Sequence, residues 1–93
     1  MTARYRVELR SAAQHDLDRL DSQVRARVLV KLIQLEAEPR PRGVEKLSGH
    51  ASRYRVRVGG LRVVYEVRTE EVLVLVVRIA GRGQVYRGLG RIR

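Results

Sequence analysis

The chain has no cysteine, no tryptophan and no phenylalanine, and its only aromatic side chains are four tyrosines. Without cysteine there is neither a disulfide framework nor a thiolate zinc site, which fits a reducing compartment. Without the larger rings the core has to be assembled from Val, Leu, Ile and Ala. No apolar run reaches membrane-spanning length, and the opening MTARYRVELR has no apolar signal-peptide segment, so the expectation is a soluble cytoplasmic protein with no membrane attachment. No carboxylate pair, metal-ligand cluster, Ser/His/Asp order or glycine-rich phosphate loop is readable, so neither metal nor cofactor is expected.

Acidic residues are scarce as well: 10 against 20 basic ones, a net charge of +10. A field of that sign favours a polyanionic partner, nucleic acid or an acidic protein. Eighteen of the 20 basic residues are arginine. The guanidinium fork grips phosphate bidentately where an ammonium is a point charge. A GC-rich genome also inflates Arg, Val, Ala and Gly, however, so the position of each arginine carries more information than their number.

Ninety-three residues suffice for one domain, 1–93, and no repeat or linker interrupts it. RYRVELR (4–10) alternates Tyr5, Val7 and Leu9 against polar neighbours, the period-two pattern of a half-buried strand. Ser11 stands where an N-cap would open a first helix, and Asp21 or Ser22 where one would open a second. Leu17, Leu20, Val24, Val28, Leu32 and Leu35 recur at three- and four-residue steps and give both helices one core-facing stripe. Asp16, Asp18, Glu36 and Glu38 then fall on solvated faces, as does His15; His50 lies in a loop, and neither histidine is given a catalytic role. PRPRG (39–43) stops the second helix. A short VEKL, a hairpin, and the nearly continuous aliphatic run EVLVLVVRI (71–79) follow, the last reading as a central strand covered on both faces. The order implies an α+β fold: an N-terminal strand, an αα-hairpin, then an antiparallel sheet of about four strands with the helices on one face.

The hairpin RYRVRVGGLRVVYEV (53–67) fixes its own register. With Gly59 and Gly60 as the two turn residues, positions summing to 119 lie opposite each other. Tyr54, Val56 and Val58 then meet Tyr65, Val63 and Leu61 on the core side. On the other side Arg57 meets Arg62, Arg55 meets Val64, and Arg53 meets Glu66. Like charges directly opposed are locally destabilising. Exposed arginines can splay into water, where the repulsion is small, but Arg55, Arg57 and Arg62 share one face and an anion there turns repulsion into binding. Arg53 has Glu66 as an ordinary partner and is left out of the site. Tyr86, in GRGQVYRG, is either a core anchor or, beside Arg82, a stacking platform or hydroxyl donor.

Taken together, RVEL, DLDRL, PRPRGVEKLSG, RYRVRVGGLRVVYEV and RIAGRGQVY resemble the RelE/ParE superfamily of bacterial toxins, and within it the RelE branch; the resemblance runs over about residues 4–87. It implies the toxin of a type II toxin-antitoxin system, a metal-independent endoribonuclease that inhibits translation by entering the ribosomal A site, on the small subunit, where it cuts mRNA. The reaction it implies is attack of a ribose 2′-OH on the adjacent phosphate, leaving a 2′,3′-cyclic phosphate and a 5′-OH. By motif, Arg55 and Arg57 fall on the family's basic positions before the turn, Arg62 on its phosphate-gripping arginine, Arg82 on its second essential arginine, and Tyr86 on the C-terminal residue that stacks on or activates the nucleotide. The resemblance also implies an acidic antitoxin as partner. Lysines stand before the turn in the best-known RelE pattern; the arginines found here keep their protons, so neither Arg55 nor Arg57 is a free general base. Two other functions share the scaffold: a ParE-like inhibitor of DNA gyrase, and a degenerate toxin that serves only as an antitoxin-bound repressor module.

Overall fold

The structure, a computed structural model, describes residues 4–49 and 52–81. The elements run β1 (Arg6–Leu9), α1 (Ser11–Asp18), α2 (Ser22–Ala37), β2 (Glu45–Lys46), β3 (Arg53–Val58), β4 (Leu61–Arg68), a 3₁₀ turn (Thr69–Glu71) and β5 (Leu73–Gly81). The α+β class is as expected, but the sheet has five strands rather than about four, in the order β1-β5-β4-β3-β2. From β2 to β5 the chain is an antiparallel meander, whereas β1 lies parallel to β5, from Arg6 opposite Leu73 to Leu9 opposite Val76. β5 is therefore internal, as its unbroken aliphatic sequence predicts.

Side chains of α1 and α2 meet one face of this sheet. Ala13 and Leu17 of α1 and Val28, Leu32 and Leu35 of α2 form a single buried cluster with Val56, Val63, Tyr65, Val67, Val74, Val76 and Ile79. Leu20 packs against the cluster and Val24 is half-buried, so the stripe read from three- and four-residue spacing is the core stripe. Burying a Val or Leu side chain contributes about 1.5–3 kcal/mol, which is what holds so short a chain together. Tyr65 is fully buried; its ring stacks on Tyr54 with centroids 5.9 Å apart, and its hydroxyl donates to the Pro39 carbonyl at 2.7 Å. Burial pushes the Tyr65 phenol well above its ordinary value. That hydrogen bond ties the Pro39–Gly43 stop to the middle of the sheet.

Three local readings are sharpened. Asp21 caps α2, accepting from the Val24 amide at 3.0 Å. Ser11 is the first residue of α1 rather than its cap; extended Arg10 takes the cap position with no side-chain bond. Asp16 is not on a solvated face. Its carboxylate accepts from Arg78 at 2.8 and 3.2 Å and from the Ile79 amide at 2.9 Å, with 13% side-chain exposure. Pairing of β1 with β5 ends at Val76, and Asp16 satisfies an edge amide of β5 beyond that point. The same contact raises the affinity of Arg78 for its proton.

Candidate functional site

The β3–β4 hairpin supplies the site, and its six cross-strand pairs are those the glycine turn implies: 53/66, 54/65, 55/64, 56/63, 57/62 and 58/61. Gly59 takes φ 58°, the left-handed region that a two-residue hairpin turn demands and side chains disfavour. With one face of the hairpin committed to the core, the arginines must share the other.

Row by row, that second face is an ion-pair lattice. On β1, Arg6 pairs with Glu8 at 2.7 Å. Arg53 pairs with Glu66, which also meets Arg68 at 3.2 Å, so the Arg53 guanidinium holds the Glu66 carboxyl below its usual range. One row nearer the turn, Glu45 of β2 lies opposite Arg55 and accepts from it, Nε at 3.1 Å and Nη2 closer still. The next row is Arg57–Arg62–Ala80 and contains no carboxylate. Arg57 is exposed and forms no ion pair with a described residue.

Between the last two rows is a hollow of about 260 Å³ lined by Gly43, Glu45, Arg55, Arg57 and Arg62. The Glu45 carboxyl is held below its ordinary range, first by the hydrogen bond from Arg55 and further by the fields of Arg55, Arg62 and Arg57. Three guanidinium groups around a recess suit an anion with two or more oxygens, and an ionised carboxylate among them is a proton acceptor at neutral pH. Three of the residues singled out from sequence, Arg55, Arg57 and Arg62, are brought together here. Arg82 and Tyr86 lie outside the described residues; the described part of β5 ends at Gly81, opposite Leu61 and one row from the Arg57–Arg62 pair. Sequence reasoning missed Glu45. Its place depends on a two-residue edge strand whose pairing with β3 no local pattern announces.

A larger hollow, about 400 Å³, lies between the end of α1 and the end of β5, where Asp16, Arg19 and Arg78 are found. Its central charges are already matched, since Arg78 is bound through two nitrogens to Asp16. It is a structural junction.

The chain matches the model of the ParE toxin of type II toxin-antitoxin systems over residues 7–86. It belongs to the RelE/ParE toxin superfamily. Among solved structures, this toxin is similar to a chain of the RelBE2 toxin-antitoxin complex of Mycobacterium tuberculosis, with 27% identity, a TM-score of 0.76, and 86% of this chain and 100% of that one covered. It is similar to a chain of the archaeal RelE–RelB complex of Pyrococcus horikoshii, with 32% identity, a TM-score of 0.76, and coverage of 86% and 97%. The isolated Escherichia coli RelE toxin shares 30% identity at a TM-score of 0.75, over 96% of this chain and 99% of that one. No curated protein sequence matches significantly. Among the described residues no helix is long and apolar enough to cross a membrane.

Proposed function

We propose that this toxin is a ribosome-dependent endoribonuclease that cuts mRNA in the A site without a metal. The observation that carries the reading is the Arg57–Arg62 pair opening on a recess that also holds Arg55 and Glu45. In the proposed reaction the 2′-oxygen bonds to phosphorus as the P–O5′ bond breaks. The 2′ proton goes to a base, the leaving 5′-oxygen takes a proton from water, and the products are a 2′,3′-cyclic phosphate and a 5′-OH. Arg57 and Arg62 stabilise the additional charge on the five-coordinate phosphate, where fixed cations act more strongly than water does. Arg55 holds Glu45 in place. Glu45, the one described side chain lining the recess that can take a proton, accepts it from the 2′-OH, a role no arginine can fill. Arg82 is assigned to phosphate binding and Tyr86 to stacking on or activating the nucleotide, both on the motif RIAGRGQVY.

A second reading, inhibition of DNA gyrase, is favoured by one observation: the family model that matches residues 7–86 is that of ParE. Against it, the solved structures reported above are of RelE proteins, and the basic recess gives phosphate chemistry a place to occur. An acidic antitoxin is proposed as partner, supported by the RelE relatives solved with RelB; a net charge of +10 speeds that encounter in a salt-dependent way. Function in the cytoplasm follows from the proposed target.

Purified toxin added to ribosomes programmed with a defined mRNA is expected to give A-site cuts ending in a 2′,3′-cyclic phosphate. Intact mRNA together with broken plasmid in the presence of gyrase would overturn the proposal in favour of the second reading.

A further inference from the structure

Helix α2 (Ser22–Ala37) is apolar on two sides. Val28, Leu32 and Leu35 go into the core, whereas Leu29, Val30 and Ile33 remain 42, 54 and 57% exposed, the only large apolar side chains so exposed among the described residues. One such residue on a surface is ordinary; three on one helix face make a patch that folding does not account for. With exposed Ala26 and Ala37, two of them form the stripe Ala26, Val30, Ile33, Ala37, whose steps of four, three and four residues are those of a coiled-coil seam. The stripe reads the same in both directions. Laid antiparallel on a copy of itself, it pairs Ala26 with Ala37 and Val30 with Ile33. The charges follow the same plan, since Arg25, Arg27 and Lys31 stand in the first two thirds of α2 while Glu36 and Glu38 stand at its end. In the antiparallel register Arg27 of one copy falls between Gln34 and Glu38 of the other. Arg27 and Glu38 are both exposed, and neither forms an ion pair with a described residue.

We propose that this outer face of α2 is a two-fold interface between copies of the toxin, the two helices packing antiparallel. A second copy fits because it brings the complement of each end of the helix, the self-matching surface that two-fold symmetry requires. An acidic helix would complement only the first part of the stripe and would meet Glu36 and Glu38 at its end. The interface is small, one helix of sixteen residues from each copy, against the roughly 1,600 Å² of a standard stable one, so the association is weak and concentration-dependent. Two chains of net charge +10 also repel, so pairing belongs to physiological rather than low salt, where charges more than about 8 Å apart are largely screened. The helices cover one face of the sheet and the arginine recess lies on the other. Pairing therefore leaves both recesses open, and it stands whether or not the toxin cuts mRNA.

The test is sedimentation equilibrium of the full-length free toxin at physiological salt over a range of concentrations. Wild type should pass from monomer to dimer as concentration rises. Ile33→Ala should weaken the association about tenfold, since symmetry removes the contact twice. Arg27→Glu and Glu38→Arg should each weaken it about tenfold as well, by setting like charges together at both ends of the interface. An equimolar mixture of those two variants should associate nearly as tightly as wild type, because each then meets its complement. All three positions are exposed, so none of these changes disturbs the core. Wild type that stays monomeric overturns the pairing, as does a dimer that Ile33→Ala leaves intact or a mixture no tighter than the single variants. A monomeric wild type that binds an acidic antitoxin peptide, beside an Ile33→Ala variant that does not, assigns the face to the antitoxin and overturns the pairing too.

Discussion

Arg57 and Arg62 lie directly opposite each other across the β3–β4 pair, in a cross-strand row completed by Ala80. Opposed like charges on a sheet oppose folding by a few tenths of a kcal/mol up to about 1 kcal/mol. Arg57→Gln is accordingly expected to raise stability by about 0.5 kcal/mol at low ionic strength, with the gain shrinking as salt screens the pair. Urea unfolding of the two proteins at low and high salt measures this. The same substitution is expected to reduce cleavage, a stability gain at the expense of function.

Glu45→Gln removes the proposed proton acceptor while leaving an amide oxygen that Arg55 can still donate to. Losing a positioned base typically lowers the rate about 10²- to 10⁴-fold. Because its arginine neighbours depress the Glu45 pKa, the carboxylate is already ionised well below neutral pH. Single-turnover cleavage should therefore show no acidic limb from this group between neutral pH and its ordinary pKa of about 4.3. A rate that falls with a midpoint near neutrality would remove Glu45 from the role.

Glu66 gives a stability dependence whose sign is fixed. Its folded pKa lies below the unfolded one, chiefly through the hydrogen bond from Arg53. The stabilisation is therefore fully present above the unfolded pKa of about 4.3, and is lost as pH falls through the folded value. The difference in unfolding free energy between wild type and Glu66→Gln should be constant from pH 7 down to about pH 5, then narrow in more acidic solution.

Tyr65→Phe keeps the stack on Tyr54 but strands the Pro39 carbonyl, whose partner at 2.7 Å is the Tyr65 hydroxyl. A buried acceptor left unsatisfied costs about 1–3 kcal/mol. Denaturant unfolding should show that loss with an unchanged m-value, and Asp16→Ala should be destabilising as well, since it deprives both Arg78 and the Ile79 amide.

Much of this fold can be read from the sequence because its elements declare themselves locally. The Gly59–Gly60 turn sets the register of β3 on β4, so that even the Arg53–Glu66 and Tyr54–Tyr65 pairs follow from the turn alone. The helical stripe from Leu17 to Leu35 and the aliphatic run of β5 are equally plain. What local pattern cannot supply is long-range choice. β1 runs parallel to β5 because the meander returns β5 to the side of β1 after more than sixty intervening residues. Asp16 reads as a surface acid until β5 presents Arg78 and the Ile79 amide to it. Glu45 enters the recess only because β2, two residues long, pairs at the sheet edge with Arg55. The site's cations were therefore visible, and its carboxylate was not.

The central claim is that the Arg57–Arg62 face is where mRNA is cut. Primer-extension mapping of mRNA ends after induction of wild-type toxin and of Arg62→Ala tests it most directly. The account predicts discrete cuts within translated codons for wild type and their reduction by about 10²- to 10³-fold in Arg62→Ala, the loss expected on removing one fixed charge-stabilising group. Undiminished cleavage by a folded Arg62→Ala protein would contradict it.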